Sequence, residues 1–249
     1  MDKPPRFTIV TVCFNAAGTI AETASSLASQ RCNDYEWLVV DGASTDATLM
    51  VVEAAGIAQR RVISEPDRGI YDAMNKAVGL ARGDWIYFLN SGDAFADDDV
   101  LSEISVATDA NPQTDLVWGD MIYVDGQRER RRSFAHVRRS TLVFDDLNHQ
   151  AVFARRQLFQ QLGGFELRFR TSADYDWLLR VMRAGVAARH VRRVIARFAV
   201  GGMHSSNPLA LVDERRQLRL QYVTPLQLQI GEAIAKWRRR YRLLRGYGG

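Results

Sequence analysis

The stretch Glu65–Asp93, EPDRGIYDAMNKAVGLARGDWIYFLNSGD, decides how the chain reads. Within it, Asp84-Trp85-Ile86-Tyr87-Phe88-Leu89 is a near-continuous apolar run, the mark of a strand covered on both faces in a parallel sheet. Ahead of that run, apolar residues at 70, 73, 74, 77, 78 and 81 keep the 3.6-residue period of a helix over Ile70–Ala81. Behind it, the chain opens abruptly into Asn90-Ser91-Gly92-Asp93. Ligands of open α/β sheets gather at the carboxyl ends of the strands. A small-residue turn with one carboxylate is well placed there to hold a divalent cation against a diphosphate, although the same residues also suit a plain tight turn.

Upstream, strands and helices alternate, the pattern of a parallel sheet with crossover helices. Phe7–Cys13 reads as a strand, Thr19 to about Gln30 as a small-residue helix, and Tyr35–Val40 as a second strand that ends in Asp41-Gly42-Ala43-Ser44-Thr45-Asp46. Thr45 or Asp46 is expected to cap a helix reaching about Gly56, and Arg61–Ser64 is a third strand. Downstream come an Asp97–Asp109 helix with acids in its first turn and a Leu116–Val124 strand. The second half is less regular. Asp125-Gly126 signals a hairpin, and Arg128–Arg139 reads as an irregular basic surface loop. A short Ala151–Ala154 strand, a Gln157–Leu162 helix stopped by Gly163-Gly164, and an Asp174–Ala184 helix follow. After a Gly/Ser loop at 201–206, a helix is expected to about Tyr222. No repeat or flexible linker interrupts the chain, so one compact unit of residues 1–222 is expected, with halves 1–100 and 101–222 and a helical extension over 223–249.

The 249 residues are 47% hydrophobic, enough for a sizeable core. A formal net charge of +4 conceals an asymmetry. Residues 1–125 hold 8 Lys/Arg against 20 Asp/Glu, net −12, and 126–249 hold 25 against 9, net +16. No apolar leader and no run of about 18 uncharged apolar residues is present, so a cytoplasmic protein without a membrane span is expected. Cys13 and Cys32 have no metal-type spacing, and a disulfide between them is possible but unsupported by any pattern.

Several chemistries lack their motifs. No GxGxxG follows the first strand, and GxxxxGK[ST], GxSxG and HExxH are all absent. What remains is a series of carboxylates at the ends of successive strands, Asp41, Asp67 and Asp93, accompanied by Asn15, Ser44 and Asp46. This arrangement suits a nucleotide lying across the sheet edge, with one carboxylate accepting from its base and another holding the ion that neutralises its diphosphate.

The segments TIVTVCFNAAGTI, EWLVVDGASTDAT and the opening stretch together resemble the nucleotide-binding half of the family 2 glycosyltransferases. NHQAVFARR, GGFELRFRTSADYDWLLR and FAVGGMHSS, in the same order, resemble the acceptor half of a bacterial subgroup that builds cell-surface polysaccharides. The resemblance implies the GT-A fold, an α/β architecture with a Rossmann-like, mostly parallel sheet flanked by helices and an irregular acceptor-binding half. It implies an inverting transfer from a nucleotide sugar to a hydroxyl of a glycan or polyprenyl-linked acceptor, assisted by Mn²⁺ or Mg²⁺. For the base and ribose it implicates Thr11, Val12, Asn15, Asp41 and Ser44. Near the ribose and diphosphate it implicates Asp67, Gly69, Tyr71 and Asn75, with Lys76 as a weaker candidate. The family's DxD metal motif falls on Ser91-Gly92-Asp93, where Ser91 replaces the first acid, leaving Asp93 as the principal ligand and His204 as a second. His149 and Gln150 fall in a motif associated with the donor sugar or acceptor pocket.

The acceptor hydroxyl must lose a proton as it attacks, and a carboxylate can take it. The resemblance places this base at Asp174, with Ala173 in place of the usual glutamate; Asp174 is also suited to cap a helix starting at Tyr175. Asp176, two residues on, is expected to face elsewhere. At the C-terminal end, Leu226, Ile230, Ile234, Trp237, Tyr241 and Leu244 fall near one helix face and Lys236, Arg238, Arg239, Arg240, Arg242 and Arg245 crowd the others. Such a helix suits an anionic inner leaflet, and equally a face packed on the protein's own body or an oligomer contact. The basic half alone could suggest a nucleic-acid binder, but no reading motif accompanies it. A nucleotidyltransferase would need a second acid beside Asp93, and a non-catalytic nucleotide-binding module would be expected to have lost Asp174.

Overall fold

The computed structural model describes residues 3–201 and 208–244. Strands β1 (Phe7–Cys13) and β2 (Tyr35–Asp41) are buried along their whole length. They pair in parallel from Phe7 opposite Tyr35 to Cys13 opposite Asp41, so both stop at one rim. β3 (Arg60–Ser64) and β4 (Trp85–Phe88) flank them, again in parallel. Helices α1 (Ile20–Ala28), α2 (Thr48–Ala54) and α3 (Ile70–Leu80) make the crossovers that parallel pairing requires. In α3 the periodic face of Tyr71, Ala73, Met74 and Ala77 is buried.

β5 (Ala94–Phe95), α4 (Val100–Asp109), β6 (Leu116–Asp125) and β7 (Arg128–Arg132) follow, then β8 (Val152–Arg155), α5 (Arg156–Leu162), α6 (Ala173–Ala184) and β9 (Ala188–Ala199). Both halves of the chain share one sheet, in the order β3-β2-β1-β4-β8-β6-β9-β5, with β7 paired to β6. β8 runs antiparallel to β4, Tyr87 opposite Phe153. That reversal matters for function, because the residues just before β8 then lie at the carboxyl end of β4. β9 runs parallel to β6, so its last residues reach the same rim.

Three strands depart from expectation. The Arg-rich stretch from Arg128 begins as β7, its arginines paired across from Met121–Asp125, and neither β5 nor β9 is among the expected elements. The register of β6 on β9 shifts around Asp120. Gly119 makes the shift possible, since a Cβ there would lie 2.5 Å from the Arg193 carbonyl oxygen. Asp120 fixes it, one carboxylate oxygen meeting His190 Nε2 at 2.8 Å and accepting from Ser133 Oγ and the Phe134 N–H at 3.0 Å each. The cap positions also differ. α2 starts at Thr48 with Ala47 as cap residue, although Asp46 Oδ1 accepts the Thr48 N–H at 2.9 Å. α6 starts at Ala173 with Ser172 as cap, so Asp174 lies inside the first turn and is not the cap. Both cysteines are free.

α7 (Pro208–Arg219) and α8 (Pro225–Leu244) complete the described chain. α8 docks through Leu228, which is 2% exposed, and through Gly231, which lies against the Phe144 ring so closely that a Cβ would collide with it. Glu232 pairs with Arg219 of α7 at 3.0 Å. The expected apolar ridge is therefore largely exposed: Leu226, Ile230, Ile234, Trp237 and Tyr241 are 42% to 65% exposed, and the side chain of Leu244 lies outside the description. Among the described residues no helix is long and apolar enough to cross a membrane.

Candidate active site

At the ends of β1 and β2 the backbone is bent into conformations that side chains disfavour, with φ of 48° at Asn15 and 64° at Ala43. Hydrogen bonds hold that shape. Asn15 donates its N–H to Ser44 Oγ at 2.8 Å, and its side-chain oxygen accepts the Thr45 N–H at 2.9 Å. Asp41 is fully buried and accepts from Ser44 N–H, Ser44 Oγ, Ser64 Oγ and the Cys13 thiol. Burial alone would raise its pKa, but these donors outweigh it and hold the carboxyl below its ordinary value. Asp41 thus secures the turn. The more accessible carboxylate is Asp67, whose Oδ1 accepts the Gly69 N–H at 2.8 Å and whose Oδ2 lies over Gly42, 2.7 Å from where a Cβ would sit. Gly69 has a φ of 117°, a conformation natural to glycine. Phe14, half exposed, lies beside Gly42; an exposed aromatic there offers a stacking surface.

The second cluster gathers around the segment before β8. Asn148 opens a tight turn that carries His149 and Gln150, both buried. His149 Nδ1 lies 2.8 Å from Asp174 Oδ2, and its Nε2 lies 3.1 Å from Asn90 Nδ2. Tyr71 donates its hydroxyl to Asp174 Oδ1 at 2.8 Å. Burial opposes the charge on Asp174, yet the hydrogen bond and charge of His149, followed by the Arg215 charge and Tyr71, hold its carboxyl well below the usual range. Tyr71 itself is raised, by burial and then by Asp174. The neighbouring Gln150 donates Nε2 to Asp93 Oδ2 at 3.1 Å, and the Ala199 N–H from the end of β9 donates to Oδ1 at 3.2 Å. Burial pushes the Asp93 carboxyl up to about 7. Consecutive residues of one turn therefore hold both carboxylates, Asp174 and Asp93.

Asp93 is the residue of this site suited to a cation. Its donors here are neutral amides, and two buried amide oxygens of the same cluster, Asn90 Oδ1 and Gln150 Oε1, lack any hydrogen-bond partner. No group of three or more His, Cys, Asp and Glu side chains is poised for a metal among the described residues. One carboxylate among neutral oxygens fits an ion that takes its remaining ligands from a diphosphate and water. Ser91 Oγ shares a hydrogen bond with Thr19 Oγ1 at 2.9 Å, and Gly92 donates its N–H to Thr23 at 3.0 Å with a φ of 92°. His204 lies outside the described residues.

Other expected site residues support the frame. Thr11 is fully buried, donating to the Leu89 carbonyl and accepting from Trp37 Nε1, and Val12 beside it is buried too. Asn75 clamps the 163–169 loop to α3, donating to the Phe165 carbonyl and accepting its N–H at 2.8 Å each. Lys76 binds the Pro66 carbonyl and Glu65. Asp176 faces away, pairing with Arg180 at 2.8 Å. Sequence reading missed Asn90, Phe14 and Arg215. The exposed aromatic after β1 was a signal for Phe14; nothing in the sequence ties Arg215 to Asp174.

Residues 8–173 match the Glycosyl transferase family 2 model. The chain belongs to that family. It is 33% identical over 232 residues to a PGL/p-HBAD biosynthesis glycosyltransferase of Mycobacterium bovis, covering 91% of this chain and 88% of the relative. With the succinoglycan biosynthesis protein ExoO of Rhizobium meliloti it shares 30% identity over 201 residues, 74% of this chain and 58% of that one. Among solved structures, S. aureus TarS 1-349 in complex with UDP-GlcNAc superimposes with a TM-score of 0.74 at 19% identity, over 88% of this chain and 67% of that one. The mannosyltransferase PcManGT from Pyrobaculum calidifontis, in complex with GDP-Man and Mn²⁺, gives 0.64 at 19% identity, over 93% and 74%. The fold is GT-A, and the protein is a nucleotide-sugar-dependent glycosyltransferase.

Proposed function

We propose that this glycosyltransferase works by inversion, with Asp174 accepting the proton of the acceptor hydroxyl as that oxygen attacks the anomeric carbon of the sugar diphosphate. The observation that carries this reading is the His149-Gln150 turn, one residue on Asp174 and the next on Asp93. A base and a diphosphate-side carboxylate at one rim are what a single displacement needs, and no separate nucleophile is called for. The hydrogen bonds from Tyr71 and His149 keep Asp174 ionised and oriented while unused lone pairs on its oxygens remain for the acceptor proton. The nucleotide would lie across the ends of β1 and β2, its base between Phe14 and Asp67, its diphosphate toward Ser91-Gly92-Asp93. Asp93 would hold the divalent cation, Mn²⁺ or Mg²⁺, which when bound supplies positive charge against the departing diphosphate.

The names of the relatives, drawn from PGL/p-HBAD and succinoglycan biosynthesis, support a surface glycan or lipid-linked glycan as acceptor. In this reading residues 1–222 form the catalytic unit. The exposed apolar ridge of α8, with Lys236 and Arg240 also exposed beside it, supports a peripheral position on the cytoplasmic face of an anionic membrane.

A thermal-shift panel of UDP-, GDP- and dTDP-sugars with Mn²⁺ or Mg²⁺ tests the donor, since a ligand at 100 times its Kd stabilises the native state by about 2.7 kcal/mol. Asp174→Asn is expected to keep the donor-induced shift and to lose transfer by roughly 10²–10⁴-fold. Normal turnover by that variant would remove Asp174 from the base role.

A further inference from the structure

The ridge of α8 leads into a cleft separate from the Asp93–Asp174 cluster. This cleft of about 400 Å³ lies between α8 and residues 136–145. Phe144, Ile234 and Ala235 give it an apolar wall, Gly231 lets the helix approach the Phe144 ring, and a His136 Nε2–Asp145 Oδ2 contact of 2.8 Å marks its polar side. Ile234 belongs to both features, lining the cleft while remaining 45% exposed on the ridge. We infer that the cleft seats the hydrocarbon chain of a phosphate-bearing bilayer lipid while the α8 ridge lies in the leaflet surface.

This inference rests on the membrane and lipid-linked acceptor reading and makes it specific. Charge complementarity supports an anionic lipid, because residues 225–244 carry five Lys/Arg against a single Glu. Trp237 and Tyr241 stack with ring centroids 5.6 Å apart on the exposed ridge, and such amphipathic rings suit the headgroup level. Continuity with the active site supports a substrate chain over an incidental one. The segment that walls the cleft runs on through the buried Leu147 to His149, which holds Asp174, and Tyr175 beside Asp174 donates its hydroxyl to the Leu142 carbonyl at 2.8 Å. The wall of the cleft and the residue that holds the base thus belong to one continuous segment.

The test uses the full chain and dodecyl phosphate below its micelle-forming concentration, followed by calorimetric titration. One saturable site is expected, with no matching signal from inorganic phosphate. Ala235→Trp, which fills the cleft, should weaken binding at least tenfold, and Phe144→Ala, which lengthens it, should shift the preference toward tetradecyl phosphate. Ile230→Ser/Trp237→Ser should abolish sedimentation with phosphatidylglycerol vesicles yet keep dodecyl phosphate binding. Equal binding of inorganic phosphate, or a natively melting Ala235→Trp that binds as wild type, would overturn the inference. So would a Phe144→Ala protein with unchanged chain preference, should Ala235→Trp fail to fold. Nucleotide-sugar shifts on the wild-type protein separate the two readings: donor binding without dodecyl phosphate binding defeats the cleft alone, and the reverse defeats the donor assignment alone.

Discussion

His149 uses both ring nitrogens within the site, one on Asp174 and one facing Asn90. Replacing it by alanine removes the leading influence that keeps Asp174 ionised and also frees the carboxylate to rotate. His149→Ala is expected to lower kcat/KM by about 10²-fold through misplacement of the base, and to move the acid limb of the pH–rate profile upward as the Asp174 pKa climbs toward the usual carboxylate range. An unchanged limb would leave His149 with no hold on the base. The same shift has a stability consequence. Because the folded-state pKa of Asp174 is depressed, its contribution is complete above the ordinary carboxylate pKa and is lost as pH falls through and below that value. Melting temperatures of wild type and Asp174→Asn should therefore converge on acidification below about pH 4. Asp41 illustrates what one sequence conveys at this scale. Its place at a strand end was legible, but its donors Ser64 and Cys13 arrive from two other strands, and no local pattern announces them.

At the level of elements, β1, β2 and β4 were legible as largely apolar runs alternating with helices, and the short β3 as an apolar pair, Val62-Ile63, between them. β7 and β9 were not. In β9, ARHVRRVIARFA, arginines interrupt the apolar alternation, yet their aliphatic stems lie along the sheet while their charged ends reach acids such as Glu103, 2.8 Å from Arg193. Charge in the sequence thus masked a strand that the tertiary structure half buries. The β6–β9 irregularity provides a check on this account. Gly119→Ala should destabilise the fold by about 1–3 kcal/mol, the range for overpacking, because the Arg193 backbone and Ile195 crowd the position. Urea denaturation at constant m-value measures it, and a neutral result would mean that the bulge can relax.

Across the whole molecule, the acidic first half and basic second half meet in one sheet. The exposed cations of α8 give the protein an electrostatic approach to anionic surfaces that salt screens within roughly 8–10 Å. Flotation with phosphatidylglycerol vesicles should fall steeply between low and high salt, whereas donor-induced thermal shifts should barely change. Equal salt sensitivity of both would place the two events at one surface. The amphipathic composition of α8 was legible in sequence, but which face it presents was not, because that depends on Leu228 and Gly231 meeting the Phe144 region.

The sheet also sets an order of completion. Asp93 is among the early residues of the chain, but its backbone donor, Ala199, comes from the last strand to join. During translation the nucleotide-binding strands can assemble while that clamp is still inside the ribosome. A polypeptide ending before residue 188 lacks the Ala199 donor, so the grip on Asp93 is completed only when the last strand is made.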